Sequence, residues 1–200
     1  MGKSTDGPVS RYLNRRASLP LSQAIVRHDL PISPNLMSLI SFSMGVAGAL
    51  LFALQVPLGG GLLAQLSSIL DGCDGEIARL TGRGSQRGAI LDATLDRLAD
   101  GALVLGMTLF AYANSAAHLG ALIFGFLALI GGYGISYSSA IARALGREDY
   151  KRAIAGRDAR LFLIMLAGLA AAFAPGSLLY FLGLLALSTL VELGWRLMRG

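Results

Sequence analysis

Apolar residues run through this chain in blocks of about 20, broken by short polar stretches. That length is what a helix needs to cross the hydrocarbon of a bilayer. Blocks at about 35 to 56, 61 to 80, 88 to 113, 119 to 144, 160 to 174 and 177 to 195 predict an all-α integral membrane protein with six transmembrane helices. The fifth block is short and needs a few more residues or a tilt. Ahead of the first, in LPLSQAIVRH, Ser22 to Arg27 reads as a short N-terminal amphipathic surface helix with Leu21, Ile25 and Val26 on its apolar face; a basic linker is the alternative. Ser33 and Pro34 make a helix start. The expected division is a cytoplasmic arm over residues 1–33 and one membrane domain over 34–200, without internal repeats.

Composition agrees, with 54% hydrophobic residues, 14% charged and a mean hydropathy of +0.61, against about 25% charged in soluble proteins. The basic residues then set an orientation. They gather before the first block (Lys3, Arg11, Arg15, Arg16, Arg27), after the second (Arg79, Arg83, Arg87), after the fourth (Arg143, Arg147, Lys151, Arg152, Arg157, Arg160) and at the end (Arg196, Arg199). The intervening loops QVPLGG, ANSAAH and AAFAPGS hold no Lys or Arg. By the positive-inside rule both termini are cytoplasmic, in a plasma (inner) membrane. The net charge of +5 then needs no nucleic acid partner. No apolar signal-peptide core precedes the first block. Cys73 is the single cysteine and excludes an internal disulfide; it points about 200° away from Asp71 and reads as packing filler. His28 and His118 lie at block edges, remote from the acidic residues.

Four carboxylates interrupt this apolar pattern. Asp71, Asp74, Asp92 and Asp96 fall inside the second and third blocks, in LDGCDGEIARLTGRGSQRGAILDATLDRLAD. An ionised Asp near a bilayer centre costs roughly 2.5–3.5 kcal/mol, so such residues mark a polar interior and a functional site. Of the nearby bases, Arg79, Arg83, Arg87 and Arg97, three lie at or beyond the block ends, which makes a divalent metal the more economical counter-charge. At about 100° per residue, Asp71, Asp74, Gly75, Ala78 and Arg79 share one helix face. Asp92 and Asp96 share another with Gly88, and the two faces can meet across Thr81 to Arg87. Clustered oxygen ligands suit Mg2+ or Mn2+, and two ions about 3.5–4 Å apart clamp a phosphoryl group. Gly75, Ala78 and Gly88 leave room for a base or diphosphate, or are simple helix-packing positions. Arg79 suits bidentate contact with phosphate. Asp100 continues the stripe as an outer group or as part of a polar interior.

Asp71, Asp74, Gly75, Ala78, Arg79, Gly88, Asp92 and Asp96 match without a gap the D-x2-D-G-x2-A-R-x8-G-x3-D-x3-D signature of the CDP-alcohol phosphotransferases, which the chain resembles over nearly its whole length. The resemblance implies attack of an acceptor hydroxyl on the β-phosphorus of a CDP-alcohol, giving a phosphodiester and CMP. It implies that Asp71, Asp74 and Asp92 hold two Mg2+ or Mn2+ ions, and that Asp96 contacts a metal and acts as general base. Gly75, Ala78, Arg79 and Gly88 would bind the cytidine diphosphate. In PISPNLMS, Asn35 and Ser38 resemble a Pro-Asn pair followed by Ser or Thr that faces the diphosphate in this family.

The stretches STDGPVSRYLNRRASLPLS and LSSILDGCDGEIARL look most like the membrane domain of di-myo-inositol phosphate phosphate synthases. CDP-inositol with inositol phosphate is therefore the expected pair, with a separate or fused cytidylyltransferase supplying the donor. The basic fourth loop fits an anionic acceptor, through Arg143, Arg157 and Arg160, or is only the positive-inside collar. A phospholipid synthase using CDP-diacylglycerol with inositol phosphate or glycerol phosphate is the alternative within this chemistry. Outside it stand a membrane prenyltransferase, which leaves the G-x2-A-R element unexplained, and a non-enzymatic divalent-metal carrier, which has no need of Arg79. The family is commonly homodimeric, and the glycines of LIGGYGISYSS serve either such a contact or packing within one subunit.

Overall fold

The computed structural model describes residues 9–147 and 156–199. Lys3, Lys151 and Arg152, and the start of the N-terminal stretch quoted above, lie outside the described residues. Every regular element among those described is helical. A π-helical turn over Ser10–Asn14 leads into α1 (Arg15–Arg27), followed by α2 (Pro34–Ala53), α3 (Pro57–Thr81), α4 (Gln86–Asn114), α5 (His118–Ala144), α6 (Arg157–Phe173) and α7 (Ser177–Arg199).

Local chemistry sets these ends. Pro34 and Pro57 open α2 and α3, where a missing N–H leaves no bond unmade. The Ser33 and Ser85 side chains cap α2 and α4, accepting from the backbone N–H groups of Leu36 at 3.2 Å and Gly88 at 3.0 Å. Gly82 ends α3 in the left-handed conformation at φ 66°.

Helices α2 to α7 coincide with the six apolar blocks, with one difference. Helix α3 begins at Pro57 rather than near residue 61, because Gly59, Gly60 and Gly61 continue the helix beside its neighbours instead of forming a loop. The amphipathic element is a longer helix than Ser22 to Arg27, and its buried face is Ser18, Ser22 and Ile25, while Leu21 is exposed. Three helical stretches, Pro34–Ala53, His118–Ala144 and Ser177–Met198, are long and apolar enough to cross a membrane on length and composition.

The six helices close into a ring in which α2 contacts α3, α3 contacts α6, and α6 contacts α7; α7 then contacts α5, α5 contacts α4, and α4 returns to α2. Helices α3 and α4, consecutive in the chain, hardly meet through their backbones. The main apolar core of the bundle includes Phe52, Leu103, Met107, Leu161, Leu178 and Leu182. Small residues let backbones approach there: a Cβ on Gly106 would strike the Ala49 carbonyl, and one on Gly61 would strike Met165 and Gly168. On α5, Gly131 and Gly134 lie against Thr189 and Leu193 of α7, so these glycines pack within the chain. One end of the bundle holds the last turns of α3 and the first turns of α4 and α6, and with them the acidic residues. Helix α1 lies against α3 beside this end, where Ile25 joins Met37, Cys73 and Ile77 in a small second core.

Candidate metal and diphosphate site

The late turns of α3 and the early turns of α4 face each other across the space their backbones leave. Asp71, Asp74 and Asp92 each offer one carboxylate oxygen, all within 4.8 Å of one another. Three hard oxygens at that spacing fit a divalent cation on the chemistry of the donor set. Asp74 is the most enclosed, and the Ser38 hydroxyl donates to its Oδ2 at 2.5 Å, which ties α2 to the cluster. Asn35, one turn earlier on α2, brings its Oδ1 to within 2.9 Å of where a Cβ on Gly88 would stand. Gly88 is thus the close-approach position between α2 and α4. Arg79 is exposed and folds its guanidinium over Gly75, with Nη1 at 3.2 Å from the place of a Cβ there. Ala78 lies half-buried on the same face.

Asp96 stands one turn beyond Asp92 and outside the three-oxygen set. It meets guanidinium groups instead. Arg157 Nη1 lies 2.9 Å from Asp96 Oδ1 and 2.9 Å from Asp71 Oδ2, joining the two acidic helices to α6. The Arg157 Nε donates to Asp100 Oδ1 at 3.0 Å, and Arg160 Nη2 donates to Asp100 Oδ2 at 2.9 Å. Arg97 Nη2 reaches Asp96 at 3.4 Å and Asp100 at 3.6 Å, and its Nη1 bonds Ser136. The bundle interior therefore sets Arg97, Arg157 and Arg160 against Asp71, Asp96 and Asp100. Of the three expected acceptor contacts, Arg157 and Arg160 enter the site through these ion pairs. Arg143 is exposed in the last turn of α5, and none of the described contacts joins it to the carboxylates.

Two features escaped the sequence reading. One is Glu76, inside the acidic signature but at a variable position; it is buried and accepts from the Ser18 hydroxyl at 3.0 Å and the Ser22 hydroxyl at 2.7 Å. The spacing of those serines, one helical turn apart, is the only signal the sequence carries for it. The other is a cavity of about 260 Å³ between α1, α3, α4 and α6. Asp71, Asp74, Asp92, Arg79 and Arg157 line it, and every other lining residue is polar, charged or glycine.

The comparisons with known proteins agree with this geometry. The family model for CDP-alcohol phosphatidyltransferases matches residues 31–193. The chain is similar to the bifunctional IPC transferase and DIPP synthase of Rubrobacter xylanophilus, 42% identical over 183 residues. That match takes in 90% of this chain and 40% of the relative, so the chain spans about two fifths of that protein's length. It is also similar to the archaetidylinositol phosphate synthase of Pyrococcus horikoshii, 32% identical over 164 residues and 82% of each chain. Among solved structures, the phosphatidylinositol phosphate synthase of Mycobacterium tuberculosis with CDP-DAG bound superposes with a TM-score of 0.78 at 28% identity, over 92% of both chains. The same synthase has been solved in complex with manganese and citrate, where the TM-score is 0.77 over 90% of this chain and 87% of that one.

Proposed function

The chain belongs to the CDP-alcohol phosphatidyltransferase family, and we propose that it joins CDP-inositol to inositol phosphate, releasing CMP. The observation that carries this reading is the cavity beside Asp71, Asp74 and Asp92, whose lining side chains are polar or charged apart from two glycines, which suits hydroxyl-rich substrates. The acceptor oxygen forms a bond to the β-phosphorus while the bond from that phosphorus to the CMP oxygen breaks. CMP carries away the bridging oxygen, and the hydroxyl proton passes to a carboxylate.

Asp71, Asp74 and Asp92 are the residues to hold Mg2+ or Mn2+, two ions with Asp96 included, and when bound the ions supply Lewis-acid stabilisation of the phosphoryl oxygens. Asp96 takes the hydroxyl proton as general base. Its ion pair with Arg157 holds the carboxylate in place until the acceptor enters. Gly75 and Gly88 keep the walls thin, with Ala78 beside them, so that the cytidine diphosphate can lie close to the backbone. Arg79 folds from Gly75 toward its phosphates, and Asn35 and Ser38 border the same end from α2. Arg157 and Arg160, with Arg143 at the rim, neutralise the acceptor phosphate.

Six helices, α2 to α7, cross the plasma membrane with both termini in the cytoplasm, and the arm before residue 34 lies on the cytoplasmic surface. The exposed apolar side chains of α5 and α7, such as Phe126, Tyr180 and Leu187, then face lipid. The protein works as a homodimer beside a fused or separate cytidylyltransferase. A second reading, a phospholipid synthase using a CDP-linked lipid donor, is favoured by the likeness to the CDP-DAG-bound synthase.

CMP release in detergent with Mn2+ tests the reading. Turnover of CDP-inositol with inositol phosphate, lost in Asp96→Asn, is the expected result. Turnover of CDP-diacylglycerol instead selects the second reading, and metal binding without any CMP-forming activity overturns both.

A further inference from the structure

Of the four bases near the acidic signature, Arg97 is the one inside an apolar block, just beyond the last residue of the signature. A half-buried arginine at that depth marks a function. Counter-charge for Asp100 does not account for it. Arg157 and Arg160 already take the two oxygens of Asp100 at 3.0 and 2.9 Å, whereas Arg97 Nη2 stands 3.6 Å from Asp100 and closer, 3.4 Å, to Asp96 Oδ2. Asp96 and Arg97 are successive residues about 100° apart on α4, so the guanidinium meets that carboxylate only by folding back. Helix α5 holds it there. Arg97 Nη1 donates to Ser136 Oγ, whose own proton goes to the Gly132 carbonyl at 3.1 Å. On the same face of α5, one turn earlier, the Tyr133 hydroxyl donates to the Arg97 carbonyl oxygen at 2.9 Å. That hydroxyl fits over Gly101, where a Cβ would stand 3.2 Å from it.

Asp96 is thereby held at both oxygens, Oδ1 by Arg157 at 2.9 Å and Oδ2 by Arg97 at 3.4 Å. The two holds differ in kind. Arg157 also pairs with Asp71 and Asp100, and in the reading above it serves the acceptor phosphate. Every described partner of the Arg97 side chain is a protein group on α4 or α5. The last torsion of an aspartate side chain lies in a broad well, so a fixed contact on Oδ2 decides where Oδ1 points. Building on that reading, we propose that Arg97, braced on α5 by Ser136, is a positioning residue that orients the Asp96 carboxylate toward the acceptor hydroxyl. Helix α5 supplies no carboxylate to the site, yet through this brace it governs the step in which the hydroxyl proton passes to Asp96.

Arg97→Gln, Ser136→Ala, Ser136→Thr and the double variant Arg97→Gln/Ser136→Ala in the full chain test this. Ser138→Ala is the control, its hydroxyl bonding back to Ile135 of its own helix at 2.9 Å. CMP release with Mn2+ in detergent gives kcat and KM for inositol phosphate with CDP-inositol and with CDP-diacylglycerol. Melting temperature and Mn2+ bound per chain, from electron paramagnetic resonance, are measured beside it, so that rates are expressed per intact site. With whichever donor the wild type turns over, kcat of Arg97→Gln falls roughly 10–100-fold, while KM for both substrates and the Mn2+ bound stay as in the wild type. Ser136→Ala lowers kcat in the same way and Ser136→Thr restores it. The double variant is no slower than Arg97→Gln alone, because the hydroxyl acts through the guanidinium. Ser138→Ala matches the wild type. Unchanged kcat per intact site in Arg97→Gln, or a loss wholly accounted for by lower Mn2+ binding and melting temperature, overturns the proposal. So does an additive loss in the double variant, or a raised KM for inositol phosphate at constant kcat, which makes Arg97 a binding group. Wild type that turns over neither donor overturns the functional reading itself.

Discussion

At the scale of single residues the molecule is a balance of carboxylates and guanidiniums. Asp100 faces Arg157 and Arg160 through separate oxygens. Asp100→Ala strips a buried charge network of one partner and lowers stability by about 3–5 kcal/mol, to be read from denaturant unfolding in detergent. Asp92→Asn removes one of three converging donors; Mn2+ affinity, followed by electron paramagnetic resonance, falls roughly tenfold or more, with little change in melting temperature. Spacings of three and four residues made the faces of Asp71, Asp74, Asp92 and Asp96 legible in the sequence. The bridge through Arg157 was not, because it joins α6 to residues more than 50 positions earlier, and nothing local marks which arginine of a basic loop turns inward. Asp100 was legible as a continuing stripe, but its partners were not.

At the scale of elements, small residues decide which helices touch. Gly106→Leu sets a side chain against the Ala49 carbonyl and forces α2 and α4 apart; a marked fall in melting temperature and expression is expected, whereas Gly84→Ala, in open space, changes neither. The double variant Ser18→Ala/Ser22→Ala leaves the Glu76 carboxylate without two donors. Hydrogen exchange in α1 then rises while exchange in α5 and α7 stays unchanged. The positions of the six long helices were readable because apolar blocks, and for α2 the Ser33-Pro34 start, are local signals. The extent of α1 was not. Pro20 argues for a break, since it removes a helical N–H, yet α1 continues through it. Pro20 and Arg16, four residues earlier, are both exposed, so the break falls on the side away from α3.

At the scale of the whole molecule, the ring order of the helices was hidden from the sequence, since lipid-facing and helix-facing sides of these segments are equally apolar and carry no period to tell them apart. The proposed topology has a direct check. In a Cys73→Ser background, Gly84→Cys in the α3–α4 connection is labelled by an impermeant maleimide only from the cytoplasmic side, and Ser115→Cys between α4 and α5 only from the opposite one. Labelling of both from one side rules the six-span arrangement out. The sparse backbone contact between α3 and α4 has a last consequence. Two helices braced by their outer neighbours but not by each other leave the spacing of their carboxylates to rotamers rather than to main-chain packing. Such a seat would be compliant, closing around a smaller ion and yielding to a larger one, and the expected outcome is that Mg2+ and Mn2+ support the proposed CMP release to a similar extent.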